Sequence, residues 1–306
     1  MFKYKNIFVI LIFLLSFTRV FGATAEKEFK ETIDFREGGE IYLKNVNGSV
    51  DVKSWEREEV EIVANIEVKA GRMDDAEDFL NEVEINIDKS FDKIAIEVDY
   101  PEREGGGFWN LIFRGGRPNV SVTFWLKVPK RSNLDMNSTN GKIEIYDIEG
   151  KVGSKSSNGS INVENVTGNA ELRTTNGSIS ASGVRGDTNA ETTNGKVNLK
   201  EITGNVSAKS TNGSINSQII KIDAVKEMNF KTTNGSISIN LPKGIDADFD
   251  AKTTNGKIYS EFPILVKGEI SKNHITGKIN NGGPLIYLKT TNGDVRILES
   301  NTSENF

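Results

Sequence analysis

Apolar and polar positions in the middle of the chain follow a pattern with a period of 18 residues. Four units run from Asn140 to Thr211 with nothing inserted: NGKIEIYDIEGKVGSKSS, NGSINVENVTGNAELRTT, NGSISASGVRGDTNAETT and NGKVNLKEITGNVSAKST. In the second unit Ile161, Val163 and Val166 precede Gly168, and Ala170 and Leu172 follow it. Such alternation predicts two short strands per unit, not a helix. Each unit begins at an Asn-Gly pair, a dipeptide that accepts the positive φ of a tight corner. A second corner falls at Gly150, Gly168, Gly186 and Gly204. One such unit cannot bury its own apolar face, whereas stacked units align Ile143, Ile161, Ile179, Val197 and Ile215 into one interior row.

An antiparallel meander of hairpins would use the same Asn-Gly turns. Stacking is the better reading because identical residues recur at a fixed period, which parallel pairing turns into like-on-like ladders. The expected fold is therefore all-β: a parallel β-solenoid behind a strand-rich amino-terminal cap that contains one short helix. Residues 23–130 form the cap and first coil, 131–299 the solenoid with coils of about 18–22 residues, and 300–306 a frayed tail. After Thr211 the coils lengthen, and the extra residues are expected to bulge at the second corner, around 219–226, 241–245 and 263–268.

The cap region has a different texture. Ile41, Leu43 and Val46 lead into Asn47-Gly48-Ser49-Val50, which reads as a first coil. Long alternating strands are predicted at 60–68, 85–87, 94–98 and 120–128, with a hairpin at Phe91 and Asp92. Between Gly71 and Glu84 the period becomes helical through Ala76, Phe79, Leu80 and Val83, with Asp74 and Glu77 placed as a capping box. A cap is needed because an open solenoid end exposes a strand edge.

Residues 1–22 carry Lys3 and Lys5, then an apolar run from Ile7 to Phe17, then small residues at Gly22 and Ala23. This pattern predicts a secretory signal peptide and an exported protein, periplasmic or at the cell surface. Without that segment the net charge falls from −5 to −8, which argues against a nucleic-acid partner. The absence of cysteine excludes disulfides, thiol catalysis and cysteine metal sites.

The T-T-N-G-[SK]-I units, together with Val128-Pro129 and the N-G-S-V-D-V coil, resemble the bacterial putative-adhesin family of unknown function carrying the DUF4097 domain. The resemblance covers about Ile33 to Ile297 and implies a solenoid-like extracytoplasmic protein with no established activity.

Catalysis has little to work with. His274 is the only histidine and sits in an expected irregular corner without a flanking nucleophile signature. Carboxylate pairs for glycoside cleavage would need long cleft-building loops, which short coils lack. Calcium rolls share the coil length but require repeated aspartates, and Asp187 stands alone. An ice-binding face needs two outward threonines per coil, whereas consecutive threonines in T-T-N-G point to opposite sides. The chain is thus expected to be no enzyme and to need no cofactor or metal.

Three candidate features remain. Asn158, Asn176, Asn194, Asn212, Asn234 and Asn255 are expected to form an inward-pointing ladder of amides. Phe108, Trp109 and Phe113, in a glycine-rich loop at 101–118, are a candidate contact for an envelope protein in a stress or signalling role. Lys155, Arg173, Glu191, Lys209, Lys231, Lys252 and Lys289 are expected to point outward beside Ser157, Thr175, Thr193, Thr211, Thr233, Thr254 and Thr291. That basic stripe on an acidic chain is the candidate site for an anionic glycan or envelope polymer; its alternative is an exposed face that discourages edge pairing.

Overall fold

The computed structural model describes residues 23–100, 118–222, 227–266 and 271–300. Residues 1–22, expected to be a signal peptide, all of the glycine-rich loop except Pro118, and thus Phe108, Trp109 and Phe113, and the tail 301–306 lie outside the described residues.

Two long sheets face each other across one continuous apolar core. The amino-terminal part supplies β1 (Ala23–Asp34), β2 (Glu40–Asn47), β3 (Val50–Trp55), β4 (Glu59–Ala70), α1 (Met73–Glu82), β5 (Glu84–Lys89), β6 (Lys93–Asp99) and β7 (Asn119–Pro129). The regular coils follow as β8 (Asn133–Asn140), β9 (Ile143–Glu149), β10 (Val152–Ser156), β11 (Ile161–Thr167), β12 (Ala170–Asn176) and β13 (Ile179–Arg185). They continue as β14 (Thr188–Asn194), β15 (Val197–Thr203), β16 (Val206–Asn212), β17 (Ile215–Lys221), β18 (Met228–Asn234) and β19 (Ile237–Leu241). The last part holds β20 (Ala247–Lys252), β21 (Ile258–Ser260), β22 (Leu265–Val266), β23 (His274–Ile279), β24 (Leu285–Lys289) and β25 (Val295–Glu299).

The first sheet runs β1-β4-β7-β3-β9-β11-β13-β15-β17-β19-β25-β21 and the second β22-β23-β20-β24-β18-β16-β14-β12-β10-β8-β2-β6-β5. Successive coils pair in parallel with a residue facing its equivalent 18 positions on, as in Ile143, Ile161, Ile179, Val197 and Ile215. All five are buried, and Val50 and Ile237 extend the row at either end.

The T-T-N-G corner has a different physical logic from the one its composition suggests. Gly141, Gly159, Gly177, Gly195 and Gly213 are not in the positive-φ region. They are glycines because each corner lies against the last: a Cβ on Gly177 would sit 2.1 Å from the Gly159 carbonyl oxygen, and one on Gly195 2.0 Å from that of Gly177. Positive φ belongs to the second corner, where Gly168 and Gly204 have φ of 148° and 123°.

The first threonine of the motif is the inward one. Thr174 donates to the Gly159 carbonyl at 2.8 Å, Thr192 to Gly177 at 2.9 Å and Ser210 to Gly195 at 3.0 Å, so a column of buried hydroxyls satisfies the half-buried corner carbonyls. The asparagine ladder exists but points outward, correcting its expected inward direction. Asn158 donates to Asn140, Asn176 to Asn158, Asn194 to Asn176 and Asn212 to Asn194 at 2.7–2.8 Å, and all of these residues are exposed. The inner side of the corner is already filled by hydroxyls and glycine backbone, which leaves the amides no room inside.

The first strand of each regular coil also departs from strict alternation. Asp147, Asn165, Gly183 and Glu201, one per coil, adopt φ of 60°, 56°, 66° and 55°. Each inserts one residue and returns Ile148, Val166, Val184 or Ile202 to the core, a column of stacked bulges. The column ends where Ile215, Ser217 and Ile219 alternate regularly, and there the pairing between β15 and β17 shifts register.

Both ends are modified. At the amino-terminal end β1, β4 and β7 pair antiparallel, and Lys30 and Lys127 both hold Glu61, at 2.8 and 2.9 Å. β1 has no legible strand pattern because Ala25 and Ile33 are its only buried apolar residues. The helix, linking β4 of one sheet to β5 of the other, buries Ala76, Phe79 and Leu80. Its N-cap is Arg72 with no side-chain capping bond, so the expected Asp74–Glu77 capping box does not form: the helix starts two residues too early for Asp74 to cap it. At the other end the coils leave sequence order. β24 lies between β18 and β20, and β25 between β19 and β21, so the final coil is inserted under the one that precedes it. The ladder follows, with Asn292 donating to Asn234 and Asn255 donating to Asn292.

Two stability predictions follow from these contacts. Gly177→Ala should destabilise by on the order of 3 kcal/mol, since its Cβ meets backbone, while Gly153→Ala, whose Cβ would meet nothing closer than 3.5 Å, should stay within about 0.5 kcal/mol of wild type. Denaturant unfolding of the two variants checks this, and equal midpoints would refute the close-contact account. In the same assay Thr192→Val should cost about 1–3 kcal/mol and Asn194→Ala about 0.5–1 kcal/mol, because the first leaves a half-buried acceptor unpaired and the second only exposed groups. A reversed order would show that the exposed ladder, not the hydroxyl column, holds the corner.

Candidate functional site

The outer face of the second sheet is built from strands one residue out of phase with the core. Leu172, Ala208, Phe230 and Leu288 point inward and are buried, so the residues that follow them point out. Parallel pairing sets those residues side by side: Lys155 opposite Arg173, Arg173 opposite Glu191, Glu191 opposite Lys209 and Lys209 opposite Lys231. Insertion of the final coil then changes the expected order. Lys289 pairs with Lys231 on one side and Lys252 on the other, so it sits inside the stripe and not at its end.

The stripe divides electrostatically. Arg173 is held by Glu171 at 2.9 Å and lies 4.0 Å from Glu191, so its charge is largely balanced. Lys209, Lys231, Lys289 and Lys252 are four lysines on four adjacent strands, and none makes an ion pair among the described residues. Strands lie about 4.8 Å apart, so their ammonium groups repel one another. Lys231 is partly accommodated over the ring of Tyr287, 4.9 Å from its centroid. A second, outward hydroxyl column runs alongside: Ser157, Thr175, Thr193, Thr211, Thr233 and Thr254 are exposed and Thr291 is half-buried.

His274 opens β23 beside Lys252, a strand position and not the irregular corner expected. Its Nε2 contacts both Asp250, at 2.8 Å, and the Thr276 hydroxyl, at 3.2 Å. A catalytic triad needs the two ring nitrogens for different partners, one for the orienting acid and one for the nucleophile. Here one nitrogen serves both. Asp187, the isolated corner aspartate, receives a hydrogen bond from Asn205 at 2.9 Å and belongs to a second, short side-chain ladder.

A feature that sequence reading missed lies on the same face nearer the cap. A cavity of about 510 Å³ opens over Tyr42 between β6, β2 and β8. Its lining comes from segments far apart in the chain, and the one local signal is an aromatic residue in the outward slot between Ile41 and Leu43.

Among the described residues no helix is long and apolar enough to cross a membrane. No curated protein matches the chain. Two solved structures show likeness at low identity. One is described as a putative cell adhesion protein from Clostridium sporogenes, with 10% identity, a TM-score of 0.25, and coverage of 90% of this chain and 100% of that one. The other is described as a putative adhesin from Bacteroides fragilis, with 9% identity, a TM-score of 0.43, and coverage of 90% and 97%. The family model described as Toastrack DUF4097 matches residues 40–298, from the first coil through the inserted last one, and the chain belongs to that family.

Proposed function

We propose that this protein is an exported, non-enzymatic binding scaffold of the cell envelope, adhesin-like in the sense that it holds a linear anionic polymer across its coils. The observation that carries the reading is the run Lys209, Lys231, Lys289 and Lys252, four in-register cations without ion pairs among the described residues, on a chain of net charge −5. Two unit charges about 4 Å apart in water repel by about 1 kcal/mol, so a bound polyanion relieves a standing cost while gaining its own attraction. The neighbouring hydroxyl column supplies donors at the same spacing, suiting a polymer whose units carry both acid and hydroxyl groups. Residues 1–22, with their basic start and apolar run, support export. The single-nitrogen geometry at His274 supports a non-catalytic role.

The test is retention of the full chain on an immobilised acidic polysaccharide at low ionic strength. Wild type should be retained and should elute with rising salt, because exposed charge pairs are screened within about 10 Å at 0.1 M. The variant Lys209→Glu, Lys231→Glu, Lys289→Glu should lose retention by more than about tenfold with an unchanged unfolding midpoint. Equal retention of the two proteins would reduce the stripe to a solvated face.

A further inference from the structure

The cavity over Tyr42 is lined by Glu40, Lys93, Asn133, Asp135 and Lys151, with Ile41 and Leu134 behind them. The outward row through Tyr42 carries a small residue on either hand, one on the adjacent strand and one two strands away. Ala95 faces Tyr42 from β6, Asp135 faces it from β8, and Gly153 lies beyond Asp135. The polar groups around it are under-used. Glu40, Lys93, Asp135 and Lys151 make no ion pair among the described residues, although two are basic and two acidic. Only Asn133 is committed on both atoms, donating to Gly38 at 2.8 Å and accepting from the Lys151 backbone at 3.0 Å. Asp135 accepts one bond, from Asn137 at 3.0 Å.

Tyr42 is half-buried, and among the described residues its ring lacks the cation that several other aromatic rings of the chain carry. Cations of the chain lie over Trp55, Tyr146, Tyr259 and Tyr287, at 4.9 to 5.9 Å from the centroids. No such cation lies over Tyr42 among the described residues. Burial, then the carboxylates of Glu97 and Asp135, push its phenol above the ordinary tyrosine value, so it is a protonated donor at neutral pH. An aromatic face, two carboxylates and two ammonium groups, all free of ion pairs among the described residues, form a recognisable combination around one small cavity. The ring offers an apolar plane, the carboxylates accept from hydroxyls, and the lysines accept an acid.

We propose that this cavity is a sugar site that takes one acidic hexopyranose, the end residue of a glycan. Its apolar ring face lies on Tyr42, its hydroxyls on Glu40 and Asp135, and its carboxylate at the lysine rim formed by Lys93 and Lys151. The choice of an acidic sugar rests on the reading of this face as polyanion-binding; the site itself stands on its own lining. Tyr42 and the lysine stripe occupy adjacent outward columns, since Lys44 of β2 continues the stripe through Asn137 to Lys155. A chain lying along the stripe thus reaches the cavity with its end.

The test uses the full chain and free glucuronic acid, with glucose as the neutral comparison, read by saturation-transfer NMR and by titration. Wild type should bind glucuronic acid and bind glucose at least about tenfold more weakly. Tyr42→Ala, and separately the exposed pair Lys93→Glu with Lys151→Glu, should each weaken glucuronic acid binding by at least about tenfold without moving the unfolding midpoint. The triple glutamate variant of the stripe should bind the monosaccharide as wild type does, which separates failure of this site from failure of the stripe. No binding by wild type, equal binding of glucose, or undiminished binding by both cavity variants would overturn the proposal. Loss of monosaccharide binding in the stripe variant would overturn the claim of a separate site.

Discussion

Backbone-to-backbone contact at the Asn-Gly corner is the constraint on which the rest of this molecule depends. The corner glycines approach so closely that an added Cβ would lie about 2 Å from the carbonyl oxygen of the coil before. That contact forces every coil onto the same path and fixes the strand register on both sides of the corner. The inward hydroxyls then find the glycine carbonyls, the outward amides find one another, and the apolar rows close. No single bond in the set is strong in net terms, at about 0.5–1.5 kcal/mol. Their repetition makes coil stacking approximately a sum of nearest-neighbour terms, as in other solenoids.

A stack held by nearest neighbours must end somewhere, and the two ends are solved differently. The amino-terminal end changes from parallel to antiparallel pairing, lengthens its strands and adds a helix whose Ala76, Phe79 and Leu80 are buried. The carboxyl-terminal end hides its last coil. With β24 and β25 covered by β20 and β21, the final edges are β21, of three residues, and β22, of two. Edges that short offer little template for pairing with another chain.

Register also shapes the charge pattern. A residue type repeated once per coil becomes a column, so one substitution in the repeat changes the field along the whole face. In the amino-terminal half of the stripe Glu171 and Glu191 bracket Arg173, and the column is balanced there. In the other half the lysines run unbroken, and inserting the final coil brings Lys289 between Lys231 and Lys252. The same event that seals the end of the solenoid thereby concentrates its positive charge.

The sequence by itself determined the class of fold, the parallel stacking, the identity of the inward rows and the outward position of the basic and hydroxyl columns, because each of these depends only on a local period repeated in register. It also marked the helix through Ala76, Phe79 and Leu80 and the hairpin at Phe91. Tertiary structure decided what the period leaves equal. The corners at 232–235, 253–256 and 290–293 carry the same T-T-N-G residues, so any of them can stack on any other, and only packing across the two sheets selected the order with Asn292 in the middle. The direction of the asparagine ladder was likewise settled by competition for the inside of the corner, where Thr174 and its equivalents reach the glycine carbonyls first. The bulge column was present in the three-residue step from Val163 to Val166 but reads as alternation until the left-handed residue at Asn165 is seen. The Tyr42 cavity had no sequence signature because β2, β6 and β8 meet only once the cap has folded onto the first coil, and a site made by such a meeting is not written in any one stretch of chain.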